Sequence, residues 1–154
     1  MVNYSDFFNS LPGTETAEKN KAQKKVRRVL GIDPGLANTG FGIIDCYRNK
    51  YRMIGYGVIE TSSEASLGER LLVIYSRLQA VIDEFRPDEA CMEELFFVRN
   101  VTSGISVAEA KGVVTLCLAQ NVIPLDEYKP NQIKKAVTGT AAADKELVEK
   151  YVQI

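Results

Sequence analysis

One amphipathic helix set between two short apolar runs constrains the fold of this chain more than any other feature. Ser66-Leu67-Gly68-Glu69 has the form of a capping box, and behind it Leu71, Tyr75, Leu78, Ile82 and Phe85 recur at helical spacing until the chain reaches Pro87. Upstream, Val29-Leu30-Gly31-Ile32-Asp33 is an apolar run stopped by Pro34-Gly35; downstream, Ala90-Cys91-Met92-Glu93 is a second. A strand reached through a helical crossover lies parallel to the one it pairs with, so both runs should end at the same edge of one sheet. Each closes on an acid, Asp33 and Glu93. Residues 40–45 and 51–59 read as two further strands about the polar Arg48-Asn49-Lys50 turn, which makes the first three strands an antiparallel meander.

The second half extends the same pattern. A helix is predicted over about residues 103–120, where Ala108 and Gly112 permit close approach of a neighbouring helix or a second subunit. Val122-Ile123-Pro124-Leu125 and Tyr128 suggest a fifth strand, with Pro124 arguing for an edge or a strand start. Pro130 opens a short helix that Gly139 closes, and residues 144–154 begin another. The expected fold class is α/β, a mixed five-stranded sheet flanked by helices. With 154 residues one domain is the natural count. Residues 1–26 read as a flexible polar extension carrying a basic run from Lys19 to Lys25, and residues 27–154 as the folded domain.

Composition then narrows the chemistry. The chain has no histidine, which removes Ser-His and Cys-His dyads, His-ligated zinc and imidazole bases together. Its three cysteines, Cys46, Cys91 and Cys117, sit singly in apolar runs and form neither a disulfide framework nor a thiolate metal site, which fits reduced thiols in a cytoplasm. No segment has the length and apolarity of a signal peptide or a membrane span. A net charge of −1 gives no global pull toward nucleic acid, so such binding has to come from a local patch. Acid-base or metal chemistry is left to carboxylates. Asp33 and Glu93, at the carboxyl ends of strands expected to run parallel, stand where α/β sheets bind their ligands, and such a pair suits Mg²⁺ with waters and substrate phosphate. By spacing alone, a turn-forming Asp before proline and a solvated Glu93-Glu94 pair is the plainer alternative.

The wider context changes that weighting. Val-Leu-Gly-Ile-Asp-Pro-Gly at residues 29–35, with Thr39-Gly40 and Gly42, closely resembles the opening of the RuvC family of Holliday-junction resolvases. Met92-Glu93-Glu94-Leu95-Phe96-Phe97-Val98-Arg99-Asn100, Ser106-Val107-Ala108-Glu109-Ala110-Lys111-Gly112, Pro130-Asn131-Gln132-Ile133-Lys134-Lys135-Ala136-Val137-Thr138-Gly139 and Ala143-Asp144-Lys145 resemble that family's later signatures in order. The resemblance implies an RNase H-like fold. It also implies a homodimeric, Mg²⁺-dependent crossover junction endonuclease, with Mn²⁺ as substitute and two ions per site in the complete family enzyme. Such an enzyme nicks opposed strands of four-way junction DNA in recombination and repair, acts with the RuvA-RuvB branch-migration complex, and is cytoplasmic with no membrane contact.

Residue by residue, Asp33 and Glu93 match family metal acids, and Glu93 is preferred to Glu94 because alternation turns Glu94 to the other sheet face. Phe96 matches an aromatic position associated with junction bases, with one of Phe96 and Phe97 expected in the core. Lys134 and Lys145 match basic positions near the junction backbone, and Arg99 extends that surface. Family members continue into a last helix bearing an Asp-x-x-Asp-like pair, and nothing follows Ile154, so a C-terminally truncated member is expected. Asp144, Glu146 and Glu149 belong to the preceding block and do not replace those acids. A catalytically silent junction-binding fragment is therefore the alternative function. An ATP-binding phosphotransferase using the Gly-Ile-Asp-Pro-Gly hairpin is a third, disfavoured by the absence of room for a second lobe.

Overall fold

The computed structural model describes residues 26–94 and 101–152. Strand β1 (Arg27–Asp33) alternates strictly, burying Leu30 and Ile32 while Val29 and Gly31 turn to the opposite face. Its neighbour β2 (Asn38–Tyr47) runs antiparallel, and β3 (Lys50–Glu60) returns beside β2 to complete the meander. The turn between them places Arg48 at φ 54°. Helix α1 (Leu67–Phe85) starts on the capping box read in the sequence: the Ser66 hydroxyl accepts from the Glu69 backbone N–H while the Glu69 carboxylate accepts from the Ser66 N–H. That pairing, together with the Ser66 hydroxyl, holds the Glu69 carboxyl below its ordinary pKa.

The crossover delivers β4 (Glu89–Glu93) parallel to β1, as expected, with Val29 opposite Glu89 and Ile32 opposite Met92. Helix α2 (Val101–Gln120) follows, then β5 (Leu125–Tyr128), α3 (Pro130–Thr138) and α4 (Lys145–Val152). The five strands form one sheet ordered β3-β2-β1-β4-β5. One correction applies to the fifth strand. The apolar Val122-Ile123-Pro124 run precedes it, because Val122 adopts a left-handed conformation (φ 55°) in the turn that ends α2, and Val122 and Ile123 donate to α2 carbonyls. Pro124 has no N–H, yet its carbonyl accepts from Ala90, so the proline stands at the strand start on the sheet's edge.

Helices α1 and α2 cover one face of the sheet. Leu30, Ile32, Ile43, Ile59, Ala90 and Met92 meet Ile74, Leu78 and Ile82 of α1 and Ala110, Val114, Cys117 and Leu118 of α2. Gly55 and Gly57 make room for this packing, since a Cβ on Gly57 would stand 2.8 Å from the Phe41 ring and one on Gly55 3.3 Å from Phe85. Polar ties join the two helices at their rim, Tyr75 to Gln120 and Gln79 to Asn121. The other face carries Ile44, Tyr51, Met53, Tyr56 and Val58 as exposed side chains. No helix among the described residues is long and apolar enough to cross a membrane.

Candidate functional site

The parallel register of β1 and β4 decides where the two acids fall. Paired positions run from Val29–Glu89 to Ile32–Met92, so Asp33 and Glu93 occupy the next rung, on adjacent strands spaced about 4.8 Å apart. Both turn away from the helix-covered face, on the side of Val29, Gly31, Glu89 and Cys91, and both are exposed. Glu94 lies one residue past the strand, where its backbone N–H donates to the Tyr128 carbonyl and extends the β4–β5 ladder beyond Glu93.

The floor beside Asp33 is paved with glycine. Gly40 pairs with Asp33 and Gly42 with Gly31; a Cβ on Gly40 would sit 3.7 Å from the Asp33 Cβ, and one on Gly42 would meet nothing within 4 Å. A bulky group therefore has access to the Asp33 carboxylate from above the sheet. Tyr128, on β5 directly opposite Glu93 and half-exposed, is a neighbour that the sequence reading did not single out. Only pairing register, which has no local sequence signal, brings it there.

Lys134 of α3 lines a hollow of about 220 Å³ with Glu93, Pro130, Ile133 and Val148. Asp144, whose carboxylate accepts from the Leu147 N–H, caps α4 and takes no place beside Asp33 and Glu93. Lys145 is the first residue of α4, and its side chain lies outside what is described. Phe96, its neighbour Phe97 and Arg99 fall outside the described residues altogether, as do residues 1–25 of the polar extension.

Two exposed carboxylates on one rung are hard oxygen donors of the kind Mg²⁺ takes with waters and phosphate oxygens, so the pair fits such an ion. Among the described residues no group of three or more His, Cys, Asp or Glu is arranged to hold a metal. Burial raises the thiol pKa of Cys91, two residues before Glu93 on the same face, and Glu89 and Asp126 raise it further.

Comparison with known proteins gives consistent results. The family described as "Crossover junction endodeoxyribonuclease RuvC" matches residues 29–154. A protein of that name from Treponema denticola is 51% identical over 126 residues, covering 82% of this chain and 71% of the relative. Another from Pseudothermotoga lettingae is 44% identical over 126 residues, covering 82% and 78%. Among solved structures, T. thermophilus RuvC in complex with Holliday junction substrate superposes with a TM-score of 0.78 at 33% identity, covering 82% of this chain and 78% of that one. The yeast mitochondrial Holliday junction resolvase Ydc2, at 15% identity and a TM-score of 0.61 over 82% of this chain and 63% of that one, shares the fold.

Proposed function

The chain belongs to the RuvC family of crossover junction endodeoxyribonucleases, and from that premise we propose that it hydrolyses phosphodiester bonds at four-way junction DNA, with Asp33 and Glu93 as its metal acids. The observation that carries the site assignment is their shared rung at the ends of adjacent parallel strands, beside a glycine floor that leaves room for a phosphate. Asp33 and Glu93 would hold Mg²⁺, or Mn²⁺ in its place; two ions per site is what resemblance to the family implies. Bound there, the metal supplies Lewis-acid activation of water and neutralises charge at the leaving oxygen. The protein's own part is positional. The strand ends fix both carboxylates, the open floor admits the backbone, and Lys134 at the rim contacts a phosphate without reading sequence. Phe96 and Lys145 are assigned to the same DNA surface by their family positions, and Arg99 extends it.

Paired nicks require two sites, and α2 offers a surface for a homodimer. Ile105 and Leu116 are exposed on it, and an added Cβ at Gly112, which lies between them, meets nothing within 4 Å. The functional partner by resemblance is the RuvA-RuvB branch-migration complex, and a chromosomal junction as substrate puts the work in the cytoplasm. The pairing of only two acids among the described residues favours one second reading, a protein that binds junctions without cutting them.

The test is cleavage of a labelled four-way junction in Mg²⁺ alongside junction binding in Ca²⁺. Asp33→Asn and Glu93→Gln should each slow cleavage by at least about a thousandfold, equivalent to about 4 kcal/mol of transition-state stabilisation, and leave binding within a few-fold. Cleavage that survives Asp33→Asn removes the assigned mechanism. Tight binding with no cleavage by the unaltered chain selects the second reading.

A further inference from the structure

The carboxylate of Asp33 takes part in no hydrogen bond among the described residues, so what the fold holds of this residue is its backbone. On one side that backbone is held by the β1 ladder. On the other it enters the loop at residues 34–37, where three successive carbonyls each accept a hydrogen bond. Buried Thr39 donates its hydroxyl to the Gly35 carbonyl at 2.8 Å. Thr61, just beyond β3, donates its hydroxyl to the Leu36 carbonyl at 2.6 Å and its N–H to the Ala37 carbonyl at 3.0 Å. The Thr61 hydroxyl in turn accepts from Arg70 Nε at 2.9 Å, so Arg70, Thr61 and Leu36 form a chain of hydrogen bonds from α1 to the loop. Gly35 makes the loop's tightness possible, since a Cβ there would stand 2.6 Å from the Asn38 carbonyl oxygen.

Arg70 is placed against the electrostatic preference of its own helix. It lies in the first turns of α1, where the macrodipole disfavours a cation, while Glu69 beside it follows the rule. Its guanidinium orients the Thr61 hydroxyl: with the oxygen accepting from Nε, the hydrogen is directed to Leu36. Neither residue reaches the acid; both act on the backbone that carries it.

We propose that Thr61, oriented by Arg70, is a positioning residue for Asp33, clamping the loop so that the carboxylate stays on the Glu93 rung in the geometry a divalent cation needs. This rests on the reading of Asp33 and Glu93 as metal acids. Groups that orient metal ligands typically govern affinity by tenfold or more.

The experiment is a Mn²⁺ titration of the isotopically labelled chain, following paramagnetic broadening of the Asp33, Gly35 and Glu94 amide signals, with signals distant from the site reporting the fold. Thr61→Val should raise the Mn²⁺ midpoint about tenfold and Arg70→Gln about threefold, while Thr61→Ser, which keeps the hydroxyl, stays within about twofold of the unaltered chain. A Thr61→Val midpoint within about twofold of the unaltered chain overturns the proposal; if that variant does not fold, the Arg70→Gln midpoint decides by the same criterion. Asp33→Asn separates the two levels of argument. If it leaves the midpoint unchanged, or if the unaltered chain shows no broadening localised at these amides, the metal-site reading fails and takes this proposal with it. If Asp33→Asn abolishes the effect and Thr61→Val does not shift it, the clamp alone is wrong.

Discussion

Replacing Arg28 by methionine should destabilise the domain far more than removal of a surface charge does, because this side chain ties three elements together at the sheet end remote from the acids. Nε and Nη2 form a two-pronged bridge to the Asp45 carboxylate at 2.7 and 2.9 Å, joining β1 to β2. Nη1 donates to the Phe85 carbonyl at 2.8 Å, supplying a cation to the C-terminus of a helix that has no basic residue in its own last turn. The Asp45 bridge also raises the guanidinium pKa, with burial opposing it.

The magnitude lies between two limits. Fully buried charge-assisted hydrogen bonds are worth about 1.5–3 kcal/mol each, and exposed ion pairs about 0.2–1 kcal/mol. The Arg28 side chain is 32% exposed and that of Asp45 18%, an intermediate case. We therefore expect about 1–2 kcal/mol for the bridge and about 1 kcal/mol for the Phe85 contact. At about 3–5 °C per kcal/mol for a domain of this size, Arg28→Met should lower Tm by about 10 °C. The assay is thermal unfolding by circular dichroism with a double-mutant cycle over Arg28→Met and Asp45→Asn, which isolates the bridge. A coupling energy below about 0.3 kcal/mol with a Tm loss under about 3 °C would refute the reasoning and reduce this contact to an ordinary surface pair.

Three further outcomes follow from the geometry. Gly40→Val should fold, since a Cβ there makes only ordinary contact with Asp33, yet its branches fill the space a phosphate needs; junction cleavage should fall about a hundredfold with an unchanged circular dichroism spectrum, and full activity would show that the floor is not the approach path. Lys134→Ala should weaken junction binding evenly across sequences and make the log-log salt dependence shallower by about 1, as measured by fluorescence anisotropy; an unchanged slope removes Lys134 from the DNA surface. Burial, aided by Asp83, pushes the Cys117 thiol from its ordinary 9.0 up to about 11. The folded state therefore keeps this proton longer than the unfolded state. The stability contribution is complete below pH 9 and is lost as pH rises toward 11, by at most about 2–3 kcal/mol, so Cys117→Ala should flatten that part of the denaturation profile, and equal alkaline loss in both proteins would contradict it.

Most of what was legible in the chain was local. The Ser66–Glu69 capping box, the helical spacing behind it, the Pro130 start and Gly139 stop of α3, and the apolar runs closing on Asp33 and Glu93 are all written within a few residues, because hydrogen-bond caps and side-chain periodicity are short-range effects. Even the parallel pairing of β1 and β4 was legible, since a helix that carries the chain back across the sheet returns it to the edge it started from. The start of β5 was misread for the same reason in reverse: Val122-Ile123 is apolar enough for a strand, but the left-handed turn ending α2 takes it first.

Register and long-range contact are set by the folded arrangement. That Asp33 and Glu93 share a rung, that Gly40 and Gly42 rather than larger residues lie beside them, and that Tyr128 stands opposite Glu93 depend on pairings between distant segments. A one-residue slip in any of those pairings would send each side chain to the other face. The clamp of Thr39, Thr61 and Arg70 on the Asp33 loop is of the same kind. Each of these residues is unremarkable where it stands in the chain, and its hydrogen bonds exist only once the meander has folded back and α1 has docked. A side chain's local preference is set by its neighbours in sequence, whereas its partner is set by which elements the buried apolar face brings together.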